Sequence, residues 1–195
     1  ALIKHPSGMI IYKNILYFAD TENNMIGAVN MITMRRTAIA GFLQKKKEIS
    51  TSGIPASIAT FKSPSNLVID ELQETMYISD SMNRILVLNL TSNIISLYLE
   101  DSPKTNRLSN PNSIAIINNT MYISSSNNHI IYKIENFRSN KNVSVFMGDS
   151  NGKPGFSFDG TTLSNVKLFT PALHVDKFTG RMFIMDRGNN LAREV

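Results

Sequence analysis

The sequence predicts an all-β protein built from repeated antiparallel units of four strands. Its apolar runs are short, rich in Ile, Val, Tyr and Phe, and bounded by Asn, Asp, Ser, Gly or Pro, which is typical of strands. No window has the sustained 3.6-residue periodicity of an amphipathic helix. Only residues 44–60 leave room for a helical fragment, and this segment contains Gly53 and Pro55. One pattern of these runs occurs four times.

Each copy of the pattern begins with a proline, passes through two apolar runs and reaches an acidic or hydroxyl residue before an Asn-containing turn. The four opening prolines are Pro6, Pro64, Pro111 and Pro171. The residues before the turns are Asp20, Asp80, Ser125 and Asp186. Asn tolerates positive φ in tight turns, and Asp or Ser side chains accept hydrogen bonds from backbone N–H groups of such turns. We therefore interpret these four residues as structural turn residues, not as catalytic carboxylates.

A third apolar run follows each turn, and a fourth strand is predicted in the first three copies. We place these fourth strands at Arg36–Ala40, Ile94–Tyr98 and Val143–Met147. A core repeat of about 45 residues with four strands is the signature of a β-propeller blade. We expect a single propeller domain over residues 1–195, with blades at about 6–43, 64–100, 111–148 and 171–195.

The sequences of the repeated segments are similar to those of a known protein family. Blade 2 contains PSNLVID at residues 64–70 and MYISDSMNRI at 76–85, and blade 4 contains DRGNNLAR at 186–193. In these motifs the chain resembles the NHL-repeat β-propeller family. The resemblance implies a ring of six blades, of which four copies form an arc. The predicted fold class is an all-β, NHL-type propeller of four-stranded antiparallel meanders.

The two ends of the chain indicate that the last blade is incomplete. Residues 1–6 match the linker that opens a blade, and residues 191–195 match a third strand. We expect an open arc of a larger ring, belonging to a longer protein or completed by another chain. Such an arc leaves apolar blade faces open to self-association. A closed four-bladed ring is the alternative.

Composition excludes several classes of protein. The chain has 195 residues, a formal charge of +5 and no cysteine, which excludes a disulfide scaffold, a thiol nucleophile and a Cys-based zinc site. No apolar stretch reaches the roughly 18 residues of a membrane-spanning helix, so no membrane span is expected. The compartment is not indicated.

Two features of the sequence support alternatives to a purely structural role, namely one histidine and one basic cluster. His174 lies on a first strand, and the family resemblance implies zinc on channel histidines in some lyases, but a metal needs three or four ligands. We therefore predict no cofactor. Arg35, Arg36, Lys45, Lys46 and Lys47 form the densest basic cluster, which could face phosphates of single-stranded RNA. The cluster lacks interleaved aromatic residues, so a solvated loop is favoured.

The function that we favour is a non-catalytic protein–protein interaction scaffold with an unidentified protein partner. A propeller presents loops from several blades on a rigid frame, which suits partner binding. The alternatives are a metal-dependent lyase or hydrolase with a channel site, and RNA binding through the basic cluster.

Overall fold

The computed structural model describes residues 2–42, 47–101, 108–158, 160–176 and 178–195, apart from the side chain of Ser164. These residues form four antiparallel sheets. They divide into two compact units, Ala1–Glu100 and Asp101–Val195. Each unit contains two sheets of the type expected for propeller blades, so the all-β propeller prediction is confirmed.

Unit 1 contains blades 1 and 2. Blade 1 consists of β1 (Pro6–Tyr12), β2 (Ile15–Asp20), β3 (Met25–Asn30) and β4 (Arg36–Ala40), paired in that order. Blade 2 consists of β5 (Ile54–Pro55), β6 (Leu67–Asp70), β7 (Thr75–Asp80), β8 (Arg84–Asn89) and β9 (Ile94–Glu100), paired in the order β5-β9-β8-β7-β6. Strands β1 and β2 both contact β6. The unit core forms where the two sheets meet, and includes Tyr17 and Ile26 from blade 1 with Ile69 and Ile78 from blade 2.

Unit 2 contains blades 3 and 4. Blade 3 consists of β10 (Pro111–Ile117), β11 (Thr120–Ser125), β12 (Ile130–Glu135) and β13 (Ser144–Met147). Blade 4 consists of β14 (Pro171–Val175), β15 (Met182–Asp186) and β16 (Leu191–Glu194). Its sheet therefore has three strands within the described residues. Ala115 and Ile131 of blade 3 pack with Leu173 and Ile184 of blade 4 in the unit core.

The strand bounds differ slightly from the predicted ones. Strand β4 lies where it was expected, β9 continues to Glu100, and β13 begins at Ser144. These differences fall at strand ends, where the apolar pattern carries the least information.

The described part of the segment 44–60 is not α-helical. It contains β5 and a single 3₁₀ turn at Ala56–Ile58. Gly53 has φ +81°, which a helix cannot accommodate. The Ala56 N–H donates to the Asn93 carbonyl at 2.9 Å, and Ile54 pairs with Ile95. The segment therefore extends the outer edge of blade 2. None of the helical turns in the described ranges is long and apolar enough to cross a membrane.

Candidate functional site

The four turn residues hold the segment that leads into each blade. Each accepts a hydrogen bond from the backbone N–H two residues before the opening proline. These bonds run from Lys4 to Asp20 (2.8 Å), Lys62 to Asp80 (2.9 Å), Ser109 to Ser125 (2.7 Å) and Phe169 to Asp186 (2.7 Å). Asp80 also accepts the turn N–H of Met82 at 2.8 Å, the kind of partner that the sequence predicts. The geometry supports a structural role for these residues.

Each of the three buried turn carboxylates lies beside an arginine, and the arginines come from different places in the blades. The pairs are Asp20 with Arg36 on β4 (3.1 Å), Asp80 with Arg84 on β8 (3.4 Å) and Asp186 with Arg193 on β16 (3.0 Å). A buried carboxylate is costly unless it is paired and hydrogen-bonded. Blade 3 has the neutral Ser125 at this position and has no carboxylate to compensate. The carboxylates are thus engaged inside the fold.

The predicted basic cluster is divided between different roles. The Arg36 guanidinium pairs with Asp20 and lies 5.5 Å from the centre of the Phe18 ring. Arg35 and Lys47 are exposed. The Lys47 backbone N–H donates to the Ile58 carbonyl at 2.7 Å. Lys45 and Lys46 lie outside the described residues. A continuous phosphate-binding surface therefore stays a prediction.

His174 lies on β14, with an exposed side chain opposite Phe183 of β15. Among the residues that the structure describes, no group of three or more His, Asp or Glu side chains could hold a metal ion. Neither of the other two histidines shares its position, because His5 precedes β1 and His129 precedes β12.

Burial explains the shifted pKa values of three side chains. It raises the pKa of the Tyr17 and Tyr98 hydroxyls. It lowers the pKa of the His129 imidazole, an effect that the charge of Asp186 opposes. His129 also packs edge to face on Phe169, with ring centres 5.2 Å apart. These shifts follow from packing within each unit and favour the neutral form of each side chain.

The two faces of a blade have different packing partners. We call the face that packs on the preceding blade the leading face, and the opposite one the trailing face. In blade 2, Leu67 and Ile69 of the leading face are each 4 % exposed and belong to the unit 1 core. The equivalent residues of blade 1 are Met9 and Ile11, which are 63 % and 57 % exposed. The leading face of blade 1 is therefore an exposed apolar surface.

The trailing face of blade 4 is exposed in a similar way. The trailing positions of blade 1 are packed into the unit 1 core, and the residues there are Ile10, Tyr17, Ala19 and Ile26. The equivalent residues of blade 4, in the same order, are His174, Phe183, Met185 and Ala192. Of these, His174, Met185 and Ala192 are exposed, and Phe183 is half-buried.

A repeated backbone feature escaped sequence reasoning. The residue before each opening proline has positive φ, although none is glycine. These residues are His5 (φ 45°), Ser63 (46°), Asn110 (53°) and Thr170 (52°). Positive φ is uncommon for residues other than glycine, and a following proline normally favours extended backbone. Their side chains have little in common, so the composition of these positions gave no signal.

Comparisons with known proteins agree with the repeat pattern. No family model matches the sequence. The chain is 32 % identical over 101 residues to NHL repeat-containing protein 2 of Bos taurus, and 33 % identical over 100 residues to the Homo sapiens protein of that name. Each match covers 50 % of this chain, and 14 % and 13 % of the respective relatives. The chain thus corresponds to a small part of these longer proteins.

Two solved structures share the fold at low sequence identity. One is the crystal structure of a nidogen/laminin complex, with a TM-score of 0.68 and 18 % identity over 99 % of this chain and 61 % of that chain. The other is an auxiliary nutrient binding protein from Bacteroides thetaiotaomicron, with a TM-score of 0.64 and 16 % identity over 93 % of this chain and 45 % of that one. Together with the fourfold turn motif and the blade-type sheets, the similarity to these curated relatives supports an assignment to the NHL-repeat β-propeller family.

Proposed function

We propose that this chain is a non-catalytic protein-interaction scaffold, and that the leading face of blade 1 is one of its contact surfaces. The observation that carries this proposal is the exposure of Met9 and Ile11, at positions that are buried in blade 2. Burying a side chain of this size contributes about 1.5–3 kcal/mol. Contiguous exposed apolar surfaces of this kind mark association sites.

The partner that fits this face is the trailing face of blade 4 in a second copy of the chain. The contact between blades 1 and 2 is the template, because there a trailing face packs on a leading face. Met185 and Ala192 supply exposed apolar side chains at the trailing positions of blade 4. The contact is heterologous, and so it generates either closed rings or longer assemblies.

Sedimentation velocity over a range of protein concentrations tests this proposal. We expect the wild-type chain to associate, and the double variant Met9→Asp, Ile11→Asp to stay monomeric, because two carboxylates then have to be buried. Leu72→Asp is the matched control, since Leu72 is 82 % exposed in the β6–β7 turn, away from the blade faces. A wild-type chain that stays monomeric, or a control that dissociates as the double variant does, contradicts the second-copy contact.

The two alternatives need separate measurements. Stoichiometric zinc or calcium in the purified protein would favour a metal-dependent enzyme. Salt-dependent affinity for single-stranded RNA that falls on combined Lys45, Lys46 and Lys47→Ala substitution would favour RNA binding. We expect neither result.

A further inference from the structure

The turn between β3 and β4 of blade 1, residues 31–34, carries exposed apolar side chains. Ile32 is 75 % exposed, Met34 is 74 % exposed and Met31 is 46 % exposed. Single exposed apolar residues are common on protein surfaces and need no explanation. Three of them within four residues of one turn form an apolar tip on the blade.

Blade 2 builds the same turn from polar residues. The register of the strands places turn 90–93 of blade 2 at the position of turn 31–34. In both turns the side chain of the preceding asparagine accepts two backbone N–H groups. These bonds run from Ile32 and Thr33 to Asn30 Oδ1 (3.0 and 2.9 Å), and from Thr91 and Ser92 to Asn89 Oδ1 (3.0 and 2.7 Å). The fold therefore does not require apolar residues in this turn.

The exposure of turn 31–34 does not depend on which blade precedes blade 1. Blade 2 has blade 1 packed on its leading face, and Thr91, Ser92 and Asn93 of its equivalent turn are exposed nevertheless. On its other side, blade 1 is already packed on blade 2. The tip of the turn therefore lies outside the contacts between neighbouring blades.

Met34 has a backbone conformation that suits other residue types better. Its φ is 56°, and that of the equivalent Asn93 is 57°. Glycine and asparagine adopt this left-handed conformation readily, whereas methionine does not. A strained residue that the fold does not require is an observation from which a function can be inferred.

Backbone groups of the turn are hydrogen-bonded within the protein. The Met31 N–H donates to the Asn14 carbonyl at 2.9 Å, and the next two N–H groups donate to Asn30. The Arg35 N–H donates to Thr33 Oγ1 at 3.4 Å. Hydrocarbon offers no partner to a backbone N–H, so a segment that enters it must satisfy such groups internally. These bonds allow the turn to enter an apolar medium.

The charged residues of blade 1 beside the turn are basic. Arg35 follows the turn directly and is exposed. Lys13 lies in the β1–β2 turn, next to Asn14, and pairs with Glu74 of blade 2. The exposed charge next to the apolar tip is therefore that of Arg35. An apolar tip with a cation at its base matches a bilayer, whose interior is apolar and whose surface is anionic.

We propose that turn 31–34 inserts into the surface of a lipid bilayer that contains anionic lipids, with Ile32 and Met34 in the apolar layer and Arg35 among the headgroups. Methionine is flexible and needs no pocket of matched shape, which suits a fluid medium. The apolar side chains of the turn together are about as large as one myristoyl chain, which binds membranes reversibly with an association constant of about 10⁴ M⁻¹. The contact uses no blade face, and so it is independent of the second-copy association proposed above.

Flotation with lipid vesicles tests this proposal. We expect the wild-type chain to bind vesicles of phosphatidylcholine with about 30 % phosphatidylserine. The double variant Ile32→Thr, Met34→Asn has the residues of blade 2 at these positions and should bind at least about tenfold more weakly. It should fold, because Thr91 and Asn93 form the same turn in blade 2, and urea unfolding checks that its stability is kept.

A matched control removes an exposed methionine from the other end of the blades. Met82 is 41 % exposed in the β7–β8 turn, at the end of β7 opposite to Glu74. Met82→Thr should bind the vesicles as the wild type does. Arg35→Gln should weaken binding about fivefold when phosphatidylserine is present, and should leave binding to phosphatidylcholine alone unchanged.

A fluorescence measurement locates the inserted residue. The chain has no tryptophan, so Ile32→Trp places a single reporter at the tip of the turn. Its emission should shift to shorter wavelength when vesicles are added, because the indole enters an apolar medium. The emission of Met82→Trp should not shift.

Three results would overturn the proposal. The first is a wild-type chain that does not bind the vesicles at about 5 mM lipid, which is far above the expected dissociation constant. The second is equal binding of the wild type and of Ile32→Thr, Met34→Asn, because another surface then contacts the lipid. The third is a double variant that loses self-association in sedimentation without lipid but keeps its binding to vesicles, because the turn then contacts a second copy of the chain.

Discussion

Units 1 and 2 make the same junction between blades with different side chains. In unit 1 the Asn24 Oδ1 atom accepts the N–H of Ser63, the residue before Pro64, at 2.7 Å. In unit 2 the His129 Nδ1 atom accepts the N–H of Thr170 at 3.1 Å. Asn24 and His129 occupy the same left-handed position at the end of the turn. The junction therefore requires an acceptor at one point in space, and either an amide or an imidazole can supply it.

The inner ends of the two junctions differ further. In unit 1 Gly8 lies against blade 2, where a Cβ atom would come within 2.6 Å of the Asn66 Cα. In unit 2 the equivalent residue is Ser113, whose Oγ atom accepts the Leu173 N–H at 2.8 Å. Close backbone approach joins the first pair of blades at this point, whereas a buried hydroxyl bridges the second. The repeat preserves the geometry of the junction more strictly than its chemistry.

The largest expected effect comes from the buried turn residues. Asp80→Ala leaves Arg84, which is 3 % exposed, without its buried carboxylate partner, and it removes the acceptor for the Lys62 and Met82 N–H groups. Breaking a buried pair from one side costs about 3–5 kcal/mol. Ser125→Ala in unit 2 removes a neutral acceptor and should cost about 1–3 kcal/mol. Urea unfolding of both variants measures the difference in free energy of unfolding.

Asp80→Asn is the control for this comparison. The amide keeps an acceptor oxygen but loses the charge that faces Arg84. We expect its stability to lie between those of the wild type and Asp80→Ala. Equal costs for Asp80→Ala and Ser125→Ala would show that the ion pair adds nothing to the hydrogen bonds.

The sequence was sufficient to predict the strands and the acceptors at the turns. Runs such as Met76-Tyr77-Ile78 and Met121-Tyr122-Ile123 alternate on a pleated strand, and the Asp or Ser two residues later recurs in register. Local residue types and repeat spacing therefore determine these features. The third strand of blade 4 was also predicted from residues 191–195, and the structure has it as β16.

The partners of these residues could not be predicted. The cation beside the turn carboxylate comes from the fourth strand in Arg36 but from the third strand in Arg84 and Arg193, so no fixed spacing identifies it. The positive φ before each proline accompanies a hydrogen bond from the preceding residue to a turn residue 16 to 18 positions later. Local propensity does not encode a long-range contact of this kind.

A smaller effect is expected from Gly8. Gly8→Ala places a methyl group against the Asn66 Cα and the Ser65 carbonyl oxygen, each 2.6 Å from the added Cβ. Backbone cannot move aside as a flexible side chain does, so blades 1 and 2 must separate locally. Overpacking of this kind costs about 1–3 kcal/mol. Thermal unfolding of Gly8→Ala and of Ser113→Ala, which removes a hydroxyl without adding volume, compares the two ways of joining blades.

The two variants should reduce protection from hydrogen exchange in different parts of the chain. Gly8→Ala should increase the exposure of the unit 1 core and thus hydrogen exchange in β1 and β6, while unit 2 keeps its protection. Ser113→Ala should act on β10 and β14 instead. A Gly8→Ala variant with unchanged stability would mean that the close approach is relieved without cost.

The smallest expected effect is a pH dependence of stability that arises at the His129 junction of unit 2 and is absent at the Asn24 junction of unit 1. Burial lowers the pKa of His129 below its ordinary value of 6.5. The unfolded chain therefore binds the proton more tightly than the folded chain does. The stability that the neutral imidazole contributes is complete above pH 6.5 and is lost as the pH falls from there through the lowered pKa of the folded state. Protonated Nδ1 also cannot accept the Thr170 N–H.

His129→Asn converts the unit 2 junction into the unit 1 type, because Asn24 accepts the Ser63 N–H through its amide oxygen. Asn also tolerates the left-handed backbone at this position. Between about pH 7 and pH 5 we expect the free energy of unfolding of the wild type to fall by about 1 kcal/mol, the net value of one hydrogen bond. The variant should not show this decrease. His174→Asn, at an exposed site on β14, should leave the pH profile as it is in the wild type. Urea unfolding measures how the free energy of unfolding changes with pH in both proteins. If His129→Asn changes with pH as the wild type does, protonation of His129 does not cause the pH dependence. The two junctions would then be equivalent in their response to acid as well as in geometry.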